Sequence, residues 1–489
     1  MRRLKNYING EWIDSKTEVF LDVENPGTGE IISQVPQGCK EDLDLAAAKA
    51  AEAFDEWRNF PAEKRIQYLF KMKTILENNA DEIASICTME SGKTFAESKA
   101  EVVRAVENIE VACGIPTMMQ GEFSEDISSG IDEFVIRQPL GVGACIAPFN
   151  FPVMISFWFF PYALACGNAY IVKPSEKVPG TMTRIFELFE ELNLPNGVLN
   201  LVHGAKETVD AILTNSEIKA VSFVGSTKVA KYIYSKGTEN GKRVQAQGGA
   251  KNPLVVMPDA DIETTTRIIA DSVYGCAGQR CLAASTIILV GDAKEKFKDK
   301  IIDDAKSKTT CYGLDKSSQM GAIITKESKI RIEKIIEDAE SKGAKVLLDG
   351  RNKNVKTFEK GNYLLPTVIE NVSENSEAAE KEIFGPVMNL KYVDTLDDAI
   401  KFINTGRYGN AACIFTTSGS AARKFRHEVL AGNIGVNIGV PAPMAFFPFS
   451  GWKESFFGDL HGQSKHAVEF FTQTKVVIER WHEEWTRKF

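Results

Sequence analysis

Hydrophobic and polar positions alternate between strand-like and helix-like patterns from residue 169 to residue 250. Short apolar runs bounded by turn residues, such as AYIV at 169–172 and KAVSFV at 219–224, are typical of buried strands. Between such runs lie segments with apolar residues at helical spacing, such as TMTRIFELFEEL at 181–192 and KVAKYIYSK at 228–236. This alternation predicts right-handed crossover units and a doubly wound parallel sheet. Nucleotides bind at the carboxyl ends of the strands in such sheets.

A second region of the same kind extends from about residue 253 to residue 433. It contains the strand-like TIILV and KVLLDG and the helix-like ESKIRIEKIIEDAESK. A helical stretch rich in Ala, Glu and Lys, residues 41–120, precedes both regions. Near the C-terminus, HAVEFFTQTKVVIERW at 466–481 carries a β-rich run with few partners nearby in sequence. Because an exposed strand needs covering, we expect this run to pair with another subunit.

Composition and charge exclude several classes of protein. The chain has 489 residues and a net charge of −8, which argues against a nucleic-acid or anionic-membrane binder. No charged residue lies between Arg137 and Lys173, but prolines and asparagines interrupt that run, so we predict a buried core segment and no membrane span. The nine cysteines form no CxxC pair, and no apolar signal-peptide region follows the N-terminus. We therefore expect a cytoplasmic protein with free thiols.

Candidate nucleotide-binding residues follow two strands of the predicted sheet. The motifs GxGxxG, GxxxxGK(S/T), HExxH and GxSxG are absent. In FVGST, Gly225 and Ser226 stand at a helix start, where they are placed to donate to a diphosphate. Lys173 and Glu176 follow the AYIV strand, and a carboxylate there accepts from both ribose hydroxyls and repels a 2′-phosphate. The alternative interpretation is a solvated Lys–Glu pair in the first turn of a helix.

Two cysteines in YGCAGQRCLAAS, Cys276 and Cys281, are candidates for chemistry. A zinc site is not expected, because Cys-x4-Cys is an unusual spacing for zinc ligands and the chain has only five histidines. We interpret Cys276 as a buried small side chain. Cys281 follows Arg280, and positive charge or a helix N-terminus favours a thiolate without a histidine. Cys281 is therefore a candidate nucleophile, with a buried structural thiol as the alternative.

Six motifs together resemble one known family. APFNFP, IVKPSE, FVGST, GGAKN, AGQRC and EIFGP extend over nearly the whole chain, and in this the sequence resembles the aldehyde dehydrogenase superfamily. The resemblance implies that Cys281 attacks an aldehyde, that the Asn150 amide and the Cys281 backbone N–H form an oxyanion hole, and that hydride passes to NAD. The implied cofactor-binding residues are Lys173 and Glu176 at the adenine ribose, Gly225 and Ser226 at the diphosphate, Glu382 at the nicotinamide ribose, Phe384 against the ring, and Phe149.

The sequence departs from hydrolytic members of that superfamily within RVQAQGGAKN, residues 243–252. Hydrolytic members have a glutamate general base where this chain has Ala246, followed by Gln247, and neither side chain takes a proton at neutral pH. A specialised branch, the methylmalonate-semialdehyde dehydrogenases, also lacks that glutamate and releases its acyl group to coenzyme A. The segments FSGWKESFFGDLHG, VNIGVPAPMAFFPF and RAVENIEVA resemble this branch as well.

The branch's substrates carry a carboxylate, and the resemblance assigns its binding to Arg104 and Arg280, since a planar guanidinium suits bidentate carboxylate binding. For Arg104 the alternative is a surface ion pair with Glu101 or Glu107 at helical spacing. The implied reaction is oxidation of methylmalonate or malonate semialdehyde with NAD and coenzyme A, giving propionyl-CoA or acetyl-CoA and carbon dioxide. The alternatives are a hydrolytic NAD-dependent aldehyde dehydrogenase and a catalytically silent binding protein of the same fold.

We expect an α/β fold with a doubly wound parallel-sheet NAD-binding domain, an α/β catalytic domain and a small β oligomerisation element. The expected boundaries are residues 1–121 and 142–250 for the NAD-binding domain, 251–434 for the catalytic domain, 122–141 and 466–489 for the oligomerisation element, and 435–465 for a return segment lining the site. The expected partners are a small-molecule semialdehyde and copies of the same chain, as a dimer or tetramer. No nucleic acid, membrane or metal is expected.

Overall fold

The computed structural model describes residues 1–353 and 355–481, so residues 482–489 of the predicted oligomerisation element lie outside the described residues. The helices are α1 (Lys40–Trp57), α2 (Ala62–Asn78), α3 (Ala80–Ser91), α4 (Phe95–Ala112), α5 (Ile115–Met118), α6 (Met154–Phe157), α7 (Phe160–Cys166), α8 (Pro179–Phe189), α9 (Lys206–Thr214), α10 (Thr227–Glu239), α11 (Ile262–Tyr274), α12 (Ala293–Lys306), α13 (Lys326–Ser341), α14 (Glu377–Glu380), α15 (Leu396–Thr405), α16 (Gly419–Glu428) and α17 (Ser464–Phe470), with short 3-10 helices at Glu190–Leu192 and Gly275–Gly278.

The strands are β1 (Arg2–Arg3), β2 (Asn6–Ile8), β3 (Glu11–Ile13), β4 (Phe20–Glu24), β5 (Ile31–Pro36), β6 (Phe123–Ser128), β7 (Ile131–Pro139), β8 (Val142–Ile146), β9 (Ala169–Lys173), β10 (Leu199–Leu201), β11 (Ile218–Val224), β12 (Arg243–Gln247), β13 (Asn252–Val256), β14 (Ala284–Val290), β15 (Lys345–Leu348), β16 (Thr367–Glu370), β17 (Val387–Val393), β18 (Tyr408–Gly409), β19 (Ala411–Phe415), β20 (Asn433–Val436), β21 (Trp452–Lys453), β22 (Phe456–Phe457) and β23 (Thr472–Arg480). They form two large sheets and three small ones.

The predicted doubly wound parallel sheet is confirmed. Its parallel strands have the order β12-β11-β8-β9-β10. Strand β22 pairs antiparallel with β12 at one edge, and at the other edge β2 pairs antiparallel with β10 and β3 pairs antiparallel with β2. Helix α1 contacts β8, β9 and β10, helix α9 contacts β11, and helix α10 contacts β11 and β12. Helix α7 contacts β8 and β9, and α2 and α4 pack against α7. Covering both faces explains why these strands are continuous apolar runs with few polar positions.

The uncharged segment between Arg137 and Lys173 lies inside this layered core. It includes β8, α6, α7 and β9, whose residues are almost all buried. No helix in the part of the chain that the structure describes is both long enough and apolar enough to cross a bilayer. The interruptions at prolines are the loops and helix starts that separate these elements.

The second large sheet has the order β15-β16-β17-β14-β13-β19-β20 and is parallel except for β15. Helices α11, α12 and α13 enclose one hydrophobic cluster with it, and α15 and α16 enclose another on the opposite face. The alternating pattern of residues 253–433 therefore forms a second α/β layer, as expected.

The C-terminal strand β23 has a partner within its own chain. It pairs antiparallel with β7, from Thr472 opposite Pro139 to Arg480 opposite Ile131, and β7 also pairs with β6. The two strands lie in the two segments, 122–141 and 466–489, that the sequence analysis assigned to one oligomerisation element, although it expected the C-terminal run to pair with another subunit. No described strand pairs with the other edge of β23, whose residues are mostly exposed, so pairing with another subunit stays a prediction for that edge.

Candidate active site

Cys281 lies in the turn that joins the 3-10 helix Gly275–Gly278 to strand β14. Just before this turn, Cys276 and Ala277 have φ values of 51° and 53°, in the left-handed region. This conformation costs roughly 1–2 kcal/mol for each L-residue and reverses the chain within a few residues. Cys281 therefore does not lie at the N-terminus of a helix of its own, because the residue precedes a strand.

Two asparagines hold the backbone of Cys281 in place. Asn252 Nδ2 and Asn410 Nδ2 each donate to the Cys281 carbonyl oxygen at 2.8 Å. Asn410 Oδ1 in turn accepts a hydrogen bond from Gln247 Nε2 at 2.9 Å. The sequence analysis did not identify either asparagine, because single asparagines at strand starts carry no pattern that distinguishes them.

The Cys281 thiol is held in its protonated form by its surroundings. Burial raises the pKa of the Cys281 thiol to about 12, and the negative charge of Glu382 acts in the same direction. Backbone N–H groups of Cys281 and Leu282 and the charge of Arg280 lower this pKa but are outweighed. A further positive charge close to the thiol would be needed to form the thiolate at neutral pH.

The side-chain amide of Asn150 lies beside the loop that carries Cys281. Its Nδ2 donates to the Gln279 carbonyl oxygen at 2.9 Å, two positions before Cys281. A carboxamide nitrogen carries two N–H donors, so the second one is available to an oxygen held at Cys281. The structure thus brings together the two residues that the resemblance assigned to catalysis.

Lys173 and Glu176 form an ion pair at the carboxyl end of β9. The Lys173 Nζ to Glu176 Oε2 distance is 3.3 Å, and the lysine side chain is only 4% exposed while the glutamate is 34% exposed. Burial lowers the pKa of Lys173, partly offset by Glu176. Burial alone would raise the pKa of Glu176, but Lys173 and a backbone N–H outweigh it and lower the pKa. A buried lysine argues against a fully solvated pair, since its charge faces a partly enclosed site.

Gly225 and Ser226 precede helix α10, at the carboxyl end of β11. Ser226 is the N-cap of α10 and its hydroxyl makes no capping hydrogen bond, so it is available to a ligand. A Cβ added to Gly249 would lie 2.8 Å from Glu382 Oε2 and 2.9 Å from Thr227 Oγ1. The Glu382 carboxylate therefore lies close to the start of α10.

Glu382 itself is partly buried close to the cysteine turn. Burial raises its pKa to about 7, against the lowering effect of the Ala250 backbone N–H and of Lys251. Phe384, two positions on, has a left-handed φ of 53°, and its ring centroid lies 5.8 Å from that of Phe149 in an edge-to-face arrangement. The predicted cofactor residues thus fall into two groups, one at the ends of β9 and β11 and one beside Cys281.

The two predicted substrate arginines are held by different segments. Arg104 Nη1 lies 2.7 Å from Glu107 Oε2, as the ion-pair alternative expected, but the same guanidinium also binds the Pro443 carbonyl oxygen in the return segment. Arg280 Nη2 donates to the Ser272 carbonyl oxygen at 2.9 Å. Arg280 Nε is buried and has no hydrogen-bond partner among the described residues. Arg280 therefore lies next to Cys281 in the chain, and Arg104 contacts the return segment.

Ala246 is fully buried in strand β12, between Phe223 of β11 and Phe457 of β22. The position brings no proton acceptor to the site. Gln247, the next residue, donates to Asn410 and thereby supports the backbone of Cys281.

A cavity of about 700 Å³ lies over one face of the second large sheet, away from the cysteine turn. Lys251, Thr286, Asn389, Tyr392 and Arg407 contribute to its walls. Its walls do not include Cys281, Asn150 or Arg104, so we do not assign this cavity to the candidate site.

The fold and the grouping of these side chains define the protein as an α/β enzyme of the oxidoreductase class. The model of the aldehyde dehydrogenase family matches residues 12–477, and the chain belongs to this family.

Within this family, the chain is similar over its full length to proteins named for two related substrates. The chain is 44% identical to a malonate-semialdehyde dehydrogenase from Halalkalibacterium halodurans over 98% of each chain. It is also 44% identical to the mitochondrial methylmalonate-semialdehyde dehydrogenase [acylating] of Arabidopsis thaliana, over 98% of this chain and 79% of that one. The crystal structure of a putative methylmalonate-semialdehyde dehydrogenase from Sinorhizobium meliloti, complexed with NAD, is similar with a TM-score of 0.97 and 38% identity over 99% of each chain.

Proposed function

We propose that the protein oxidises malonate or methylmalonate semialdehyde with NAD and coenzyme A, giving acetyl-CoA or propionyl-CoA, carbon dioxide and NADH. The observation that carries this proposal is Ala246, which is buried where hydrolytic members of the family have the glutamate base for water. The full-length similarity to malonate- and methylmalonate-semialdehyde dehydrogenases, one of them named as acylating, supports the substrate class.

The residues present fit NAD. The free hydroxyl of Ser226 and the start of α10 suit a diphosphate, because helix N-termini attract anions. Glu176 suits a ribose with a free 2′-hydroxyl and disfavours a 2′-phosphate. Glu382 lies close enough to the start of α10 to accept from a second ribose of the same molecule. When bound, NAD supplies the hydride acceptor and a positive ring.

The first half-reaction uses Cys281 and Asn150. The Cys281 thiol gives up its proton to solvent, its sulfur adds to the aldehyde carbon, and the carbonyl oxygen becomes an oxyanion. The second N–H of Asn150 and the backbone N–H of Cys281 donate to that oxygen, which favours the transition state because the donors are already fixed. Loss of hydride from the same carbon reforms the carbonyl and leaves a thioester on Cys281.

The second half-reaction transfers the acyl group to coenzyme A. A positioned base typically contributes about 10²–10⁴-fold to the attack of water, and Ala246 supplies none. The thiol of coenzyme A is a few per cent ionised at neutral pH and highly nucleophilic, as free cysteine is. Its sulfur attacks the thioester carbon, and the Cys281 thiolate leaves. The substrate carboxylate leaves the α-carbon as carbon dioxide, and that carbon takes up a proton from solvent, which balances the proton that the coenzyme A thiol releases.

Arg104 and Arg280 bind the substrate carboxylate in this proposal. The unpartnered Nε of Arg280 supports the assignment, because a buried donor without a partner is costly unless a ligand completes it. Arg104 contacts the return segment at Pro443, so that segment lies beside the proposed carboxylate site.

The test is a stopped-flow record of NADH formation with semialdehyde and NAD. Without coenzyme A we expect a burst of about one NADH per active subunit followed by a much slower phase, because deacylation by water has no base. Adding coenzyme A should restore rapid turnover and yield acyl-CoA and carbon dioxide. Steady turnover without coenzyme A at the same rate, with free acid as product, would favour hydrolysis and contradict the proposal.

A further inference from the structure

One face of helix α4 reaches two separate segments of the candidate site. Glu97 Oε1 accepts from the Cys276 backbone N–H at 2.6 Å. One turn later, Glu101 Oε1 accepts from the backbone N–H groups of Val153 and Met154 at 2.7 and 2.9 Å. Residues four apart lie on the same face of a helix, so α4 is a common support for the cysteine segment and the loop that follows Asn150.

Glu101 forms an ion pair with Lys93 that is closed to solvent. The side chains are 0% and 2% exposed, and Lys93 Nζ donates to Glu101 Oε2. Lys93 Nζ also donates to the Asn150 carbonyl oxygen at 2.9 Å and lies 4.5 Å from the centre of the Phe151 ring. The pair therefore holds both ends of the Asn150–Met154 segment, one end through the lysine and the other through the glutamate.

Stability alone is a poor explanation for this ion pair. Taking two charges out of water costs about as much free energy as their attraction returns, and apolar residues of similar volume often serve equally well. What an apolar pair cannot do is bind a carbonyl oxygen and two backbone N–H groups at once. The specific result of the pair is a fixed backbone on either side of the Asn150 side chain.

We propose that Lys93 and Glu101 are positioning residues that fix the Asn150 amide for the oxyanion formed at Cys281. Lys93 holds the Asn150 carbonyl, and the Gln279 carbonyl holds one N–H of the Asn150 side chain, so the remaining N–H has one direction left. This inference rests on the proposed roles of Asn150 and Cys281. It does not depend on coenzyme A or on the identity of the aldehyde.

The experiment compares Lys93→Met with wild type in the NADH burst, using propanal and NAD without coenzyme A. Loss of an oxyanion donor typically costs about 10²–10³-fold, so a displaced donor should slow the burst by about 10- to 100-fold. The affinity for NAD and the rate of Cys281 alkylation should stay within about twofold of wild type, because neither involves the Asn150 amide. Lys93→Arg, which keeps a positive donor, should recover part of the rate.

A double-variant cycle with Asn150→Ala separates positioning from a general structural role. If Lys93 acts through Asn150, adding Lys93→Met to Asn150→Ala should slow the burst no further than about twofold, because coupled residues are non-additive. Multiplying effects in the double variant would overturn the inference, as would equal losses in NAD affinity and alkylation. An unchanged burst in Asn150→Ala would also overturn it, whereas turnover independent of coenzyme A would overturn only the proposed function.

Two further variants keep the test decisive. Lys99→Met on α4, the helix that carries Glu101, removes a surface lysine that pairs with Asp81 at 2.7 Å, and it should leave the burst unchanged. If Lys93→Met does not fold, Lys93→Met/Glu101→Gln removes both charges while keeping an oxygen acceptor for Val153 and Met154. The same cycle with Asn150→Ala then gives the answer.

Discussion

At the scale of single residues, the protonation of the Cys281 thiol depends on the charges of the groups around it. The pKa of the Cys281 thiol stands at about 12 because burial and Glu382 both favour its neutral form. Glu382 has a pKa of about 7, so it gains negative charge as pH rises through neutrality and then suppresses the thiolate further. A positive nicotinamide ring at the same place would act in the opposite direction.

The raised pKa of Cys281 and the negative charge of Glu382 predict how the rate of Cys281 alkylation by iodoacetamide depends on pH. Without NAD the rate should rise about tenfold per pH unit with no plateau through about pH 9, because the thiol titrates above the ordinary cysteine range. Bound NAD should shift the profile to lower pH, and Glu382→Gln should speed alkylation at pH 8 without NAD. Glu380→Gln is the control on the neighbouring helix. A plateau below pH 8 in the protein without NAD would contradict the raised pKa.

A second prediction concerns Arg104. Arg104→Leu should lower kcat/KM for a semialdehyde that carries a carboxylate by roughly 30- to 150-fold, which corresponds to the loss of about 2–3 kcal/mol of charge-assisted hydrogen bonding. The effect on propanal should be small. Steady-state kinetics with both aldehydes give the comparison, and Lys99→Leu on the same helix is the control. Equal losses for both aldehydes would make Arg104 a structural partner of Glu107.

At the scale of elements, the start of α10 and the segment carrying Glu382 meet over Gly249. Any side chain at this glycine would contact the Glu382 carboxylate and the Thr227 hydroxyl below 3 Å. The glycine thus allows two parts of the predicted cofactor site to approach each other.

Gly249→Ala should therefore weaken NAD binding about tenfold or more, since overpacking of this kind typically costs about 1–3 kcal/mol. Titration of NADH fluorescence measures the change, and Cys281 alkylation without NAD should stay near the wild-type rate. Gly419→Ala is the control, because no atom lies within 4 Å of its added Cβ. Unchanged NAD affinity in Gly249→Ala would argue against a cofactor at this junction.

The elements show which parts of the fold and site the sequence could predict. The strand and helix pattern of residues 169–250 predicted the first sheet, because local periodicity specifies elements that are buried on both faces. The order of the motifs predicted that Asn150 and Cys281 belong to one site. In the structure the Asn150 amide donates to the loop that carries Cys281. Lys93 and Asn410 were missed because their contacts are made across long stretches of chain. The left-handed turn at Cys276 and Ala277 was also missed, since neither is a glycine.

At the scale of the whole molecule, the sheet β23-β7-β6 stands out by its exposed apolar side chains. Phe123, Val476 and Ile478 are 64%, 59% and 65% exposed in the single chain. Exposed apolar residues grouped on one sheet mark an interaction surface, and the outer edge of β23 has no described strand beside it. We propose that this sheet joins copies of the chain into a dimer or tetramer.

Ile478→Lys should therefore shift the protein toward the monomer, because a charged side chain would have to be desolvated in the interface. Light scattering coupled to gel filtration measures the mass. Val19→Lys places the same change on an exposed apolar residue outside this sheet and should leave the mass unchanged. An oligomer of unchanged mass in Ile478→Lys would assign the interface to another surface.

The support of the Cys281 carbonyl by Asn410 has a consequence for the protein during its synthesis. The cysteine leaves the ribosome well before the asparagine does, and domains begin to fold as they emerge. A nascent chain that ends between the two carries the thiol on a loop that lacks one of its anchors. We therefore expect the Cys281 turn to complete its hydrogen bonding only after Asn410, 129 positions further along the chain, has joined the fold.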